Sequence, residues 1–311
     1  PTWRPSATSP IVNGWTCAIT YTDMGTPTGI LGNPLKFTVK ATKSGIEPSS
    51  TCTATVAGAL AYVPQFWSMG DLAIAQSAHI NGDVETQGKL TINPPTTGAV
   101  AVKGAKGTVK AKKTVKDNNP SGTSSYFTTP PVENSNSVSS PTLTAAQVYN
   151  TLKAGPTIDI MSCLTYISGK PVIDFSKAGG KPVVYTGTAS YVGNVGIINS
   201  SNPANDTFIV NSTDGTVDFS GTFPFNTTTA KMNLVINGDV SFNGSGTGIN
   251  IQGSFYVAGD WVQNGVYNFK GTVMVDQTTT LNGTGTVDVA VPPSFDPRYI
   301  PRITGYAGAL P

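Results

Sequence analysis

The sequence predicts a mostly β protein built on a β-solenoid, a parallel β-helix of about 18 residues per coil, with a small antiparallel sheet and one short helix. Three observations carry this reading. From Leu234 to Val291, apolar residues or glycine hold every second position with few breaks, and one single-residue shift of phase falls near Gly248. Gly253, Gly259, Gly265 and Gly271 fall every six residues, and residues 18 apart match in type: Ile251 with Phe269 and Val287, Phe255 with Val273 and Val291, Val257 with Val275. Extended backbone turns successive side chains to opposite faces, so the pattern is one apolar row that bends at its glycines. Three six-residue sides close a triangular coil, and coils stack in parallel at about 4.8 Å. A meander of antiparallel hairpins is the competing arrangement, but its turns would interrupt the alternation.

The elements follow in order. Residues 1–66 hold three strand candidates, near Trp15–Tyr21, Leu35–Ala41 and Thr51–Tyr62, joined by turns such as Gly32-Asn33-Pro34, and read as a small antiparallel sheet. Residues 67–291 form the solenoid. Leu72, Ile74, Ala78, Ile80, Gly82, Val84, Gly88, Leu90 and Ile92 open it on even positions, and Ile80-Asn81-Gly82-Asp83-Val84 recurs as Ile236-Asn237-Gly238-Asp239-Val240. Within it, 117–156 contains a Ser/Asn/Pro/Thr-rich stretch expected as an exposed loop, then a helix. Thr144 with Gln147 makes a capping box, Ala145, Val148 and Leu152 a helical stripe, and Gly155-Pro156 a stop. Solenoid-like strands resume at Ile158, with Asn/Ser/Asp-rich excursions. After Pro292-Pro293, residues 292–311 are expected to form an irregular capping tail.

Composition fits an extracellular protein. The chain has 311 residues, 34 Gly and 23 Pro, and 12% of it is charged, about half the usual share. Asn, Thr and Ser solvate it instead. No stretch approaches 18 consecutive apolar residues, so none is expected to span a bilayer. A Cys17–Cys52 disulfide suits an oxidising compartment, with two reduced buried thiols as the alternative; Cys163 stands alone. The spacing suggests no metal, and the one histidine, His79, cannot build a zinc site and reads as an exposed residue. No cofactor is expected.

Charge is distributed unevenly. Between Glu85 and Asp117 there is no acidic residue, yet Lys89, Lys103, Lys106, Lys110, Lys112, Lys113 and Lys116 lie there. Seven of the chain's 19 basic residues are in this stretch, so the rest is net acidic. Most alternate with Val, Ala or Gly and should project from one or two adjacent coils. Lys103, Lys106, Lys110, Lys112, Lys113 and Lys116 are therefore candidate phosphate contacts for double-stranded DNA, beside the alternative of a solvated face that keeps a solenoid edge soluble. With lysine and no arginine, such binding would ignore base sequence.

Enzymatic chemistry finds little footing. Polysaccharide-cleaving β-helices need clustered carboxylates, but Asp239, Asp260, Asp276 and Asp288 are scattered among Asn and Thr, and Arg4, Arg298 and Arg302 lie near the termini. The chain reads as non-enzymatic, with a carbohydrate-active β-helix as the remote alternative.

Trp15–Ala41, Ser77–Ile92 and Leu234–Val273 together resemble the minor pilins of bacterial type IV pili that carry a large β-solenoid, among them PilX-type assembly proteins and the competence minor pilin of Thermus-like bacteria. The resemblance covers most of the chain and rests on glycine pattern and strand texture. It implies a cell-surface pilus subunit near the filament tip, with other pilins as partners and DNA captured during natural transformation. Adhesion to a surface or glycan, through Asn/Thr-rich faces and aromatics such as Tyr256, is the runner-up. It also implies an N-terminal hydrophobic helix, which the sequence in hand lacks and through which alone a membrane would be met.

Overall fold

The computed structural model describes the chain outside residues 1–10, 13–14, 24–33, 44–45, 58–65, 76–77, 94–106, 119–126, 128, 139–143, 189–194, 202–205, 213–214, 220–229, 244–248, 290–301 and 309–311. Two compact units emerge, 1–62 with 298–311, and 63–297.

The first unit is an antiparallel sheet in the order β1 (Ile11–Val12), β2 (Trp15–Asp23), β3 (Pro34–Lys43), β4 (Ile46–Ala57), then the strand Arg302–Gly308. The three expected strands are present, the third as far as Ala57, with 58–62 outside the described residues. The expected irregular tail is corrected: Arg302 pairs with Ala57 and Gly308 with Cys52, so the C-terminal residues close the sheet along β4. Two glycines and a register shift between Ile303 and Gly305 weaken the strand signal of this segment, while the open hydrogen-bonding edge of β4 takes it up. Of the two cysteines expected as a disulfide, Cys17 lies on β2 opposite Ala41 and Cys52 on β4 opposite Val39; their side chains lie outside what the structure describes.

The second unit is the solenoid. Among the described residues its sides are parallel sheets of nine, seven and five strands. Matches at 18 residues are real stacking partners: Phe255 lies on Val273, Val257 on Val275, and Ile251 on Phe269 on Val287. The 18-residue coil is not general, however. Val183 lies on Phe208 and Phe208 on Leu234, steps of 25 and 26 residues, while Leu234 lies on Phe255 and Val84 on Val109 at steps of 21 and 25.

The order of coils in space differs from their order in sequence. Along the nine-stranded face run Val109–Ala111, Val84–Thr86, Phe66–Ser68, Val273–Val275, Phe255–Val257, Asn233–Asn237, Thr207–Ser212, Val183–Gly187 and Ile158–Asp159. The chain enters mid-solenoid at Phe66, winds to Asp117 at one end, crosses through 118–157, and winds back from the other end until the coil of 273–288 meets that of 66–81. Phe66 stacks on Val273, the place an 18-residue step would give Val291, which lies outside the described residues. The solenoid is thus one continuous stack with its chain order permuted.

Corners repeat one device. In both copies of the Ile-Asn-Gly-Asp-Val pentapeptide the glycine has positive φ, 125° at Gly82 and 136° at Gly238, and the following Asp accepts a backbone N–H from the next coil. Asp83 takes Thr108 N and Asp239 takes Asp260 N, each at 2.8 Å. The two copies serve different corners of the triangle, since Ile80–Asn81 belongs to the five-stranded face and Ile236–Asn237 to the nine-stranded one. At Gly271, φ is 128° and a Cβ would overlap the carbonyl of Gly253 in the adjacent coil. Asparagines form a second ladder: Asn264 Nδ2 donates to Asn243 at 2.6 Å and Asn282 to Asn264 at 3.1 Å.

Inside, rings interdigitate. Phe242, Phe255, Trp261 and Phe269 are fully buried, with Phe255 4.9 Å from Trp261 and 5.1 Å from Phe269 between centroids. Each such ring is worth about 1.5–3 kcal/mol of burial.

Both ends are closed. Residues 131–135, expected to be exposed loop, run along Val109–Ala111 instead: Ala111 N donates to Val132 O and Val132 N to Val109 O, both at 2.9 Å, and Phe127 and Val138 are buried. At the far end lies the helix Ile160–Cys163, followed by a hairpin of Leu164–Ile167 with Lys170–Asp174. Cys163 is a buried free thiol whose pKa burial raises.

Helix α1 (Ala145–Ala154) has the predicted capping box, Thr144 with Gln147. It buries Ala145, Val148 and Tyr149 and packs on the outer side of Asn233–Asn237 and Phe255–Val257. Asp276 fixes its start, accepting Ala145 N and Ala146 N at 2.8 Å each.

Two substitutions test these contacts. Gly271→Ala should lower stability by more than about 2 kcal/mol in urea denaturation, because strain and overlap add. Asp276→Ala should cost about 1–2 kcal/mol through the lost cap. Burial raises the Asp276 carboxyl above its ordinary 3.8, against the pull of the two helix N–H groups. The folded chain therefore takes up this proton before the unfolded one does. Wild type should gain stability over Asp276→Ala as pH falls through the folded pKa, with the gain complete below the unfolded value; a pH series of urea melts reads the difference.

Candidate nucleic-acid interface

The lysine-rich stretch maps to one end of the solenoid. Val109–Ala111 and Val115–Asp117 are the terminal strands of the nine- and seven-stranded faces, joined by the corner 112–114. Val109 and Ala111 point inward and are buried, as the alternation predicts. Lys112 and Lys113 are exposed on the corner, held by Lys112 N to Thr86 O at 2.9 Å and Lys113 N to Gly88 O at 3.3 Å. Lys116 is exposed on the outer side of the seven-stranded face, beside Thr91 of the next coil. Lys89, exposed, precedes the strand of that coil and lies level with Thr114. Lys103 and Lys106 lie outside the described residues.

Lys110 differs from its neighbours. Its Nζ is 3.3 Å from Glu85 Oε1, with the two side chains 26% and 4% exposed, so most of its charge is spent inside the protein. Glu85 was legible only as the boundary of the acid-free stretch, yet the register Lys110 on Glu85 makes it part of the patch. A second acid was missed. Glu133 Oε2 accepts Val115 N at 3.1 Å, and Asn134 N binds Lys113 O at 2.9 Å, so the closing segment carries a carboxylate in between Lys113 and Lys116. Its sequence separation hid it. The cationic surface left is Lys89, Lys112, Lys113 and Lys116 at the corner and on the seven-stranded side.

Other candidates resolve differently. Tyr256, expected as an exposed aromatic, is fully buried on the outer side of the nine-stranded face, in register with Val235 and Met274 under α1. His79, expected to be exposed, is half-buried in the strand Ala78–Asn81 beside Thr286. The outward acids act at corners: Asp260 accepts Thr278 N and Asp71 accepts Lys89 N, each at 2.8 Å, while Asp288 accepts Asn81 Nδ2 at 3.0 Å. Among the described residues no three His, Cys, Asp or Glu side chains gather as a metal site, and no helix is long and apolar enough to cross a membrane.

No family model and no curated protein matches the chain. Among solved structures, it is similar to the competence-associated pilin ComZ from Thermus thermophilus, at 12% identity over 95% of this chain and 82% of that one, with a TM-score of 0.39. A TM-score of that size does not establish a shared fold.

Breaking the Lys110–Glu85 pair tests the division within the patch. Glu85→Ala should destabilise the fold by about 1–3 kcal/mol, because it strands a half-buried ammonium. Lys112→Ala should stay within about 0.5 kcal/mol of wild type. Urea denaturation of both variants checks the contrast.

Proposed function

We propose that this chain is a non-enzymatic, extracellular minor subunit of a type IV pilus, placed at or near the filament tip among other pilins, and that it captures double-stranded DNA without sequence preference during natural transformation. The observation that carries the DNA contact is the exposure of Lys112 and Lys113 on the terminal corner, with Lys116 and Lys89 beside them. The stacked coils hold the backbones of these lysines at fixed spacing, so the entropy lost on meeting a phosphate backbone is confined to their side chains. Lysine neutralises phosphate as a point charge and reads no base edges. The pilus assignment is supported by the resemblance in glycine pattern and strand texture described above.

The test is binding of the purified chain to a fluorescent DNA duplex at two salt concentrations. Binding should weaken steeply with salt. The triple variant Lys112→Glu, Lys113→Glu and Lys116→Glu should lose it by at least about tenfold at low salt, since three phosphate contacts become repulsions. Lys110 is left intact so that the fold is not disturbed. Absence of wild-type binding at low salt, or equal binding by the variant, would reject the lysines as a DNA contact.

A further inference from the structure

We propose that Glu133 is a built-in stand-in for phosphate: its carboxylate holds the anion position of the terminal corner, and a phosphate group takes that position by displacing it. For the source of the phosphate this rests on the DNA reading above, to which it adds a site and a competitor.

The position exists because the stack ends there. In the seven-stranded face the first N–H of a strand donates to a carbonyl of the next coil, as Leu72 N does to Lys89 O at 2.8 Å and Leu90 N to Thr114 O at 3.1 Å. Val115 opens the last strand of this face, so the corresponding N–H has no further coil to meet. Glu133 Oε2 accepts it instead, at 3.1 Å. A side-chain anion thus replaces a backbone carbonyl.

That donor lies among cations. Lys112, Lys113 and Lys116 are within three residues of Val115 and exposed. From the spacing of consecutive Cα atoms, the carboxylate is within about 10 Å of the Cα atoms of Lys113 and Lys116, roughly a Debye length at 0.1 M salt. Glu133 forms no salt bridge with them among the described residues. Its charge therefore lowers the potential of the whole corner. Glu85 is spent on Lys110, and Asp117, exposed at the end of the same strand, acts on every variant alike.

The side chain can leave without its segment. Val132 N donates to Val109 O and Ala111 N to Val132 O, both at 2.9 Å, while Asn134 N donates to Lys113 O at 2.9 Å and Ser135 N to Ala111 O at 3.0 Å. None of these four bonds uses the exposed Glu133 carboxylate. Phosphate offers the same chemistry, anionic oxygens that accept a backbone N–H beside ammonium groups.

Titration of a fluorescent DNA duplex at about 0.1 M salt, with three substitutions in the full chain, tests this. Glu133→Gln keeps an acceptor for Val115 N and removes the charge; one unit charge about 10 Å away in water is worth about twofold in affinity, so binding should tighten by at least that. Glu133→Ala also frees the N–H and should tighten binding at least about tenfold. Asp218→Asn removes the same charge at the other end of the face, six strand spacings or roughly 29 Å away, and should leave binding unchanged. Inorganic pyrophosphate tests the site without DNA: the Val115 amide resonance should shift on titration in Glu133→Ala and much less in wild type. Melting curves check folding, and Glu133→Gln carries the DNA comparison if Glu133→Ala melts early. If no form binds DNA while pyrophosphate moves Val115 in Glu133→Ala, the DNA reading falls and the phosphate site stands. If wild type binds DNA and neither Glu133 substitution tightens it, the DNA reading stands and this proposal falls. An unmoved Val115 resonance in Glu133→Ala also overturns it.

Discussion

Everything in the solenoid depends on how closely one coil approaches the next at its corners. The backbone must change direction there while its N–H and C=O groups still meet partners above and below, and at several corners the space is too narrow for a side chain. Gly271 illustrates the limit: the carbonyl of Gly253 occupies the place its Cβ would take. At other corners an Asp accepts a backbone N–H of the next coil, as Asp239 and Asp260 do. Corner chemistry therefore fixes register, and register stacks Phe255 on Val273 and Trp261 on Thr279 with no slip. A one-residue slip would turn every buried ring outward.

That constraint also explains why permuted chain order does no harm. A coil recognises its neighbour through backbone ladders and an inward apolar row, neither of which records sequence separation. Phe66 stacks on Val273 with the same parallel pairing by which Val273 stacks on Phe255. Contiguity in sequence is needed within a coil and is optional between coils. The crossing segment 118–157 then serves as a connection from one end to the other. Within it, α1 packs on the nine-stranded face at the apolar outer row that Tyr256 and Val235 supply, and the helix start is fixed by a carboxylate from a remote coil.

What the sequence made legible follows from this. Alternation and glycine spacing reveal the solenoid and its 18-residue coils between Phe255 and Asp288, because both are local consequences of a repeated corner. The helix was legible too, since Thr144 and Gln147 cap it through contacts three residues apart. Three things were not. The seam between the coil of 273–288 and that of 66–81 joins segments about 200 residues apart. Tyr256 sits at an outward position and is buried on the side where α1, from another part of the chain, packs on its strand. The tail strand Arg302–Gly308 owes its order to the free edge of β4 more than to its own pattern. Of the candidate site, the lysines were legible, but the acids that restrain them were not. Glu85 reaches Lys110 only through a 25-residue coil step, and Glu133 arrives with the segment that closes the terminal coil.

The sides of the solenoid consequently divide their labour. The nine-stranded side spends its outer surface on the protein itself: apolar in the middle beneath α1, and ending in the Lys110–Glu85 pair where the closing segment lies against it. Charge that is paired and half-buried has lost most of its reach toward a ligand, because its field is cancelled at short range before it extends into solvent. Lys112, Lys113 and Lys116 follow Lys110 by only a few residues, but the corner carries them off that side. Their distinction from Lys110 is therefore not one of residue type or of local sequence. It comes from which side of a triangular coil each position reaches, and the two-residue alternation together with the corner at 112–114 decides that.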